Sequence, residues 1–152
     1  MTLEEGSWAC HLPEERLDAL HRQLVKEEFC VFRLESISSR ADFVRVIKEH
    51  LPLNPPIVLG VWEAINDSLF NGIADLSERK IAIVWKDAHK LMDAEDEEFA
   101  IAINVLISVV EDLKRECEKT LRVYLVDDGK YFNTHQINKA YVVHLHELET
   151  EK

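Results

Sequence analysis

The residues best placed to do chemistry are two acids one helical turn apart. Glu63 and Asp67 lie four positions apart in a segment with helical apolar spacing, so both carboxylates share one face with Asn66 and Phe70. Like charges at this spacing cost an isolated helix a few tenths of a kcal/mol. A cationic partner would offset that cost. The alternative is a solvated acidic face, because exposed pairs of this kind are common and cost little.

A histidine pair near the C-terminal end offers a second kind of chemistry. His144 and His146 would project from the same face of a strand, with Glu147 adjacent and His135 and His89 elsewhere in the chain. Zinc sites use three or four protein ligands, so this pair is only a fragment of a metal site. A metal-dependent hydrolase is therefore the weaker alternative, and polar residues on an edge strand explain the pair more simply. We expect no metal and no cofactor.

Motifs of other enzyme classes are missing from the sequence. The four glycines are isolated, so no glycine-rich loop can cradle a phosphate: Gly6, Gly60, Gly72 and Gly129. No serine has a nucleophile-elbow context. The three cysteines have neither metal-site nor redox-motif spacing, which predicts reduced thiols in a reducing compartment: Cys10, Cys30 and Cys117. The sequence thus predicts a protein without catalytic residues.

The charge balance restricts the class of partner. Acidic residues number 29 against 18 basic ones, which gives a formal net charge of -11. Such a field repels nucleic-acid phosphates and anionic lipids and favours a basic protein partner, although a negative charge also serves solubility alone. No leader-like segment and no apolar run of ~20 residues is present, which favours a cytoplasmic protein without a membrane partner.

Strand and helix patterns alternate along the chain. Strands are predicted at 29–34, 81–85 and 121–126, and the middle one is apolar at every position, as in an interior parallel strand. Residues 141–148 alternate like an edge strand. Strands separated by helices predict an α/β protein with a parallel sheet. A chain of 152 residues fits a single domain, 1–152.

Four helices are predicted between and around these strands. The first covers 13–28, the second starts at a Ser38 or Ser39 cap and ends near Leu51, and the longest covers 97–118. The helix that carries the acids has apolar residues from Val58 to Leu69, with Asn71-Gly72 as its stop signal. The proline-rich segment before it, residues 53–56, predicts a rigid loop.

The segment from Trp62 to Leu69, followed by Ile83-Val84-Trp85, resembles the central helix and second strand of the barstar family of ribonuclease inhibitors. The resemblance covers residues 29–126. It implies a three-stranded parallel sheet flanked by helices, to which this chain would add an N-terminal helical extension, 1–28, and a C-terminal extension, 127–152, with a possible edge strand.

The resemblance also implies a function. Family members present acids from the central helix, and a glutamate from the long helix, to the basic active site of a ribonuclease in place of RNA phosphates. By position these acids are Glu63, Asp67 and Glu111, and Asn66 and Phe70 share the helix face. An intracellular inhibitor or immunity protein, not an enzyme, is therefore expected, with a basic ribonuclease as partner. Another acidic protein-interaction module is the alternative beside the metal-dependent hydrolase.

Two further expectations follow for the tertiary structure. The carboxylates of Glu63, Asp67 and Glu111 should be exposed and should converge beside the loop 52–60, while Trp62 and Trp85 should be core residues. The family's best-known member has aromatic residues in this loop and a tryptophan before the central aspartate. This chain has prolines and aliphatic residues in the loop and Asn66 before Asp67, so the apolar part of its contact must differ.

Overall fold

A single parallel sheet organises the protein. The computed structural model describes residues 9–57, 61–127 and 142–144. Its strands are β1 (Ala9–Pro13), β2 (Cys30–Leu34), β3 (Lys80–Lys86), β4 (Thr120–Asp127) and β5 (Val142–His144). Their order is β2-β3-β4-β1-β5, and every neighbouring pair is parallel. The α/β class with a parallel sheet flanked by helices is confirmed, but the sheet has one strand, β1, beyond the three strands and the possible C-terminal edge strand that were expected.

The helices follow the predicted pattern with local corrections. They are α1 (Leu17–Lys26), α2 (Arg40–His50), α3 (Trp62–Ala74), α4 (His89–Ala94) and α5 (Asp96–Cys117). The N-terminal helix predicted over 13–28 is shorter, because Pro13 ends β1 and a 3-10 turn, Glu14–Arg16, comes first. The short helix α4 was not predicted.

Strand β1 has no strong pattern of its own in the sequence. It is short and ends in proline, and it becomes a strand by pairing with β4 on one side and β5 on the other. Leu12, for example, pairs with Val126 and is 3% exposed. The two ends of the chain thereby widen the sheet of β2, β3 and β4. The division into a core of 29–126 and two extensions stays a prediction.

The core has two layers because alternate residues of a strand face opposite sides of a sheet. Ile81, Ile83 and Trp85 of β3 pack under α2, α3 and α5. Ala82 and Val84 face the other side, where they pack with residues of α1, β1 and β4. Helices therefore cover both faces, as the apolar run of β3 requires.

Gly72 lies inside α3, so the prediction that Asn71-Gly72 ends this helix is wrong. The helix continues to Ala74. A β-carbon at position 72 would collide with the backbone carbonyl of Pro52 and would lie 2.8 Å from the backbone nitrogen of Leu53. The glycine is therefore needed for close packing against the segment that precedes α3, a requirement that its local sequence does not reveal.

Helix α2 begins at the predicted serine cap. The Ser39 hydroxyl oxygen accepts the backbone N–H of Asp42 at 3.0 Å. One Asp42 carboxylate oxygen in turn accepts the backbone N–H and the hydroxyl of Ser38, both at 3.1 Å. The pKa of Asp42 is held below its ordinary value, mainly by the backbone hydrogen bond from Ser38 and then by the Ser38 hydroxyl and by Arg45. The helix ends at His50, before Leu51, as predicted.

We expect the stability difference between the protein and its Asp42→Ala variant to depend on pH. A carboxyl whose pKa is lowered by folding stabilises the folded state above the unfolded pKa, and this contribution disappears as pH falls through the folded pKa. The deficit of Asp42→Ala should thus be present at pH 7 and shrink below about pH 4. Urea unfolding at several pH values measures it. Ser39→Ala, the control, should lose about 1 kcal/mol at every pH; a pH-independent deficit in both variants would contradict the assignment.

Candidate functional site

The start of α3 is held by contacts of Trp62 with two other helices. Its ring centroid lies 5.6 Å from that of Phe43 in α2, and its indole N–H donates to a carboxylate oxygen of Glu98 in α5 at 3.1 Å. The guanidinium carbon of Arg40 lies 5.3 Å from the centroid of the Trp62 ring. Trp62 is half-buried at the border of the core, so the prediction that it is a core residue holds only in part. Trp85 is a core residue at 0% exposure, as predicted.

The rest of α3 is held by its buried face and by contacts at its C-terminal end. Ile65, Leu69 and Ile73 are fully buried against the sheet and α5. The ammonium group of the buried Lys119 donates to the carbonyl oxygens of Ile73, at 3.0 Å, and Leu76. The start of α3 contacts Glu98 near the start of α5, and the end of α3 contacts Lys119 just after the end of α5. The two helices therefore run in the same direction. The side of α3 that faces away from the core is exposed to solvent.

An open groove of about 490 Å³ separates the solvent sides of α3 and α5, and we call it the α3–α5 groove. Its lining comes from two helices: Trp62, Glu63, Asn66 and Asp67 of α3, with Ile101, Asn104, Val105 and Ser108 of α5. Three of the residues predicted on the α3 face thus lie on one surface. Glu63 and Asp67 are exposed, and Asn66 is partly buried.

The remaining two candidates lie near this groove without lining it. Phe70 is partly buried and packs against the core. Glu111 follows Ser108 by three positions on α5, and therefore continues the row of Asn104 and Ser108 along one helix face. It is partly buried, so the expectation of exposure holds for Glu63 and Asp67 but only in part for Glu111. Residues 58–60 of the neighbouring loop lie outside the described residues.

Asn66 has a buried side-chain oxygen without a hydrogen-bond partner among the described residues. A buried acceptor without a donor costs about 1–3 kcal/mol. Because this oxygen is closed to solvent, a molecule docked in the groove could not reach it without a movement of the Asn66 side chain.

The apolar part of the groove was not predicted from the sequence. Ile101 is 39% exposed, although α5 has a broad apolar stripe buried on its other side. Ile101 and Val105 are four positions apart, so they form a second, short apolar row on the same helix. That spacing, outside the main stripe, was the signal that could have identified them.

The histidine alternative falls mostly outside the described residues. His135, His146 and Glu147 are not described, the backbone of His144 belongs to β5, and His89 is buried at the start of α4. Across the parts of the chain that are described, no group of three or more His, Cys, Asp or Glu residues could hold a metal ion. In those same parts, no helix is both long and apolar enough to cross a bilayer.

The segment that forms this groove matches a known protein family. The family model described as Barstar (barnase inhibitor) matches residues 27–126. The chain belongs to the barstar family. The segment shared with the barstar family contains β2, β3, α2 to α5 and nearly all of β4, and therefore every residue that lines the α3–α5 groove. Searches of curated proteins and of solved structures found no match.

Proposed function

We propose that this protein inhibits a basic ribonuclease by covering its active site with the solvent face of α3. The observation that carries the proposal is the position of Glu63 and Asp67, exposed side by side on one groove inside the segment shared with the barstar family. The protein itself performs no reaction in this role and needs no cofactor.

The physical basis is imitation of the RNA backbone by carboxylates. An enzyme that binds RNA presents cationic side chains to phosphates, and carboxylates accept the same charge-assisted, often bidentate, hydrogen bonds from arginine. The net charge of -11 would speed the encounter with a basic partner. Hydrogen-bonded pairs at Glu63 and Asp67, desolvated on docking, would then slow dissociation.

Glu111, Asn66 and Phe70 complete the proposed contact surface. Glu111 extends the row of α5 side chains that begins at the groove, so it adds a third carboxylate beyond Ser108. Phe70 lies one turn after Asn66 on α3, where its partly exposed ring can pack against a docked protein. In this role the protein acts in the cytoplasm and protects the cell that makes the ribonuclease from that enzyme.

An inhibition assay tests the proposal. The purified protein is titrated into fluorogenic RNA cleavage by barnase and a panel of other basic ribonucleases, with an acidic ribonuclease as the control. We expect stoichiometric inhibition of at least one basic enzyme, weakened by added salt, and no inhibition of the control. Full activity of every basic enzyme at a large excess of the protein, or equal inhibition of the acidic one, would contradict the proposal.

A further inference from the structure

We propose that two copies of this protein associate through the outer edges of their β2 strands, paired antiparallel across a twofold axis. The proposal goes beyond inhibition of a ribonuclease and does not rest on it. In the resulting dimer one continuous sheet would join the two copies, and the two α2 helices would lie side by side.

The outer edge of β2 is open. Strand β2 stands at one end of the sheet order β2-β3-β4-β1-β5 and pairs with β3 on one side. On its other side no strand pairs with it in the described parts of the chain. An edge strand directs a row of backbone N–H and C=O groups outward, and these groups are a template for pairing with another strand.

A groove follows this edge and gives a second strand room. Its volume is about 610 Å³, and we call it the β2–α2 groove. One wall consists of the consecutive residues Val31, Phe32 and Arg33 of β2, and the other includes Arg45 and Glu49 of α2. Because consecutive side chains of a strand point to opposite faces of a sheet, a groove lined by all three β2 residues follows the edge of the strand rather than one face.

The charges around the β2–α2 groove are balanced, although the protein as a whole has a net charge of -11. With histidine counted as neutral, two arginines and two glutamates line the groove. A nitrogen of Arg33 lies 3.1 Å from a carboxylate oxygen of Glu35, and the corresponding distance from Arg45 to Glu49 is 3.8 Å. Two copies can therefore meet here without local repulsion, because acids farther away are screened beyond about 8 Å at physiological ionic strength.

The choice of a second copy as the occupant comes from α2. Arg45 and Glu49 lie one turn apart on the same face of this helix. A twofold axis perpendicular to the sheet would place two α2 helices antiparallel, so that Arg45 of each copy faces Glu49 of the other. The same attractive pair then forms twice, as in every twofold contact. A strand of a foreign protein would satisfy the backbone of β2 but would not supply both pairs.

The side chains of β2 favour one register for this pairing. An axis centred on Phe32 aligns all five residues of Cys30–Leu34 and places the two Phe32 rings opposite each other, which is a stabilising cross-strand pair. An axis centred on Arg33 would oppose two arginines directly, which is destabilising. Phe32 is therefore the expected centre of the contact.

The dimer would leave the proposed inhibitory surface free. The β2–α2 groove and the α3–α5 groove have no lining residue in common. Each dimer would therefore present two acidic faces, and a monomeric variant should inhibit a ribonuclease as well as the parent does.

Sedimentation equilibrium of the purified chain tests the association itself. From micromolar to millimolar concentration, we expect the mass to rise from the monomer value of 17.6 kDa to twice that value. It should rise no further, because a twofold contact is closed. A monomer mass over the whole range, or growth beyond the dimer, would overturn the proposal.

A charge exchange on α2 tests whether the twofold contact is the one described. Arg45→Glu opposes two glutamates and Glu49→Arg opposes two arginines, so each variant alone should dimerise at least about tenfold more weakly. An equimolar mixture should dimerise again, because a heterodimer of the two variants forms only Glu–Arg pairs. An intramolecular role of Arg45 and Glu49 predicts no such rescue.

The control for the charge exchange is Lys48→Glu. Lys48 is exposed on α2 and does not line the groove, and this variant changes the net charge as much as Arg45→Glu does. We expect it to dimerise nearly as the parent does. A mixture that stays monomeric, or an equal loss in Lys48→Glu, would overturn the proposal.

NMR spectra of a dilution series locate the contact. We expect the backbone amide signals of residues 31–36 and 45–50 to change with concentration, and those of the residues that line the α3–α5 groove to stay constant. Changes confined to the α3–α5 groove would mean that the copies associate through the acidic face, which would overturn the proposal.

Discussion

Asp67→Ala should weaken binding of the inhibited ribonuclease by more than about 2 kcal/mol, or about 30-fold in Kd, with little change in thermal stability. Truncation would leave a cationic side chain of the partner buried without its carboxylate, and that unpaired charge dominates the loss. In the free protein Asp67 is exposed, and its removal also relieves the repulsion from Glu63 one turn away. Calorimetric titration of the purified pair and thermal unfolding of the variant measure the two effects.

The control for this variant must remove one negative charge elsewhere. Asp18 is exposed on α1, on the side of the sheet opposite α3, so Asp18→Ala changes the net charge equally without touching the groove. We expect that variant to bind with nearly unchanged affinity and to associate slightly more slowly at low salt. Equal losses in both variants would show a general field effect, and early unfolding of Asp67→Ala would make Asp67 a structural residue.

Gly72→Ala should destabilise the protein by about 2 kcal/mol or more, the scale of overpacking a tight contact. The expected sign is informative, because alanine favours an exposed helix over glycine by about 1 kcal/mol. Here the added β-carbon would collide with the Pro52 carbonyl, which belongs to backbone and cannot rotate away as a side chain could. Urea unfolding should show a lower midpoint with an unchanged slope.

A neighbouring substitution provides the control for Gly72. Asn71 is exposed at the preceding position of α3, so Asn71→Ala should keep or slightly raise stability. The segment that Gly72 contacts is also tied to α3 by the backbone N–H of Asn54, which donates to the Ser68 carbonyl at 3.0 Å. A Gly72→Ala change that displaces this segment should therefore also disturb α3 and reduce inhibition of the ribonuclease. A Gly72→Ala variant at least as stable as the parent would contradict this packing.

Local patterns were sufficient for most of the elements. The apolar run of β3, the serine cap of α2 and the long stripe of α5 are properties of consecutive residues, and each predicted its element within a few positions. The shared face of Glu63, Asn66 and Asp67 also follows from helical spacing alone, so that side of the groove was predictable.

Features that depend on a distant segment were not predictable in this way. Strand β1 exists through its pairing with β4 and β5. The Asn71-Gly72 pair looked like a helix stop because the contact that requires Gly72, with Pro52, is made by a segment 20 positions earlier in the chain. Ile101 and Val105 became part of the site only when α5 packed parallel to α3. The sequence by itself determined most of the elements and the acidic face, through interactions within a few residues. The tertiary structure decided which apolar and polar groups lie opposite that face, because contacts between separate elements depend on how their surfaces pack.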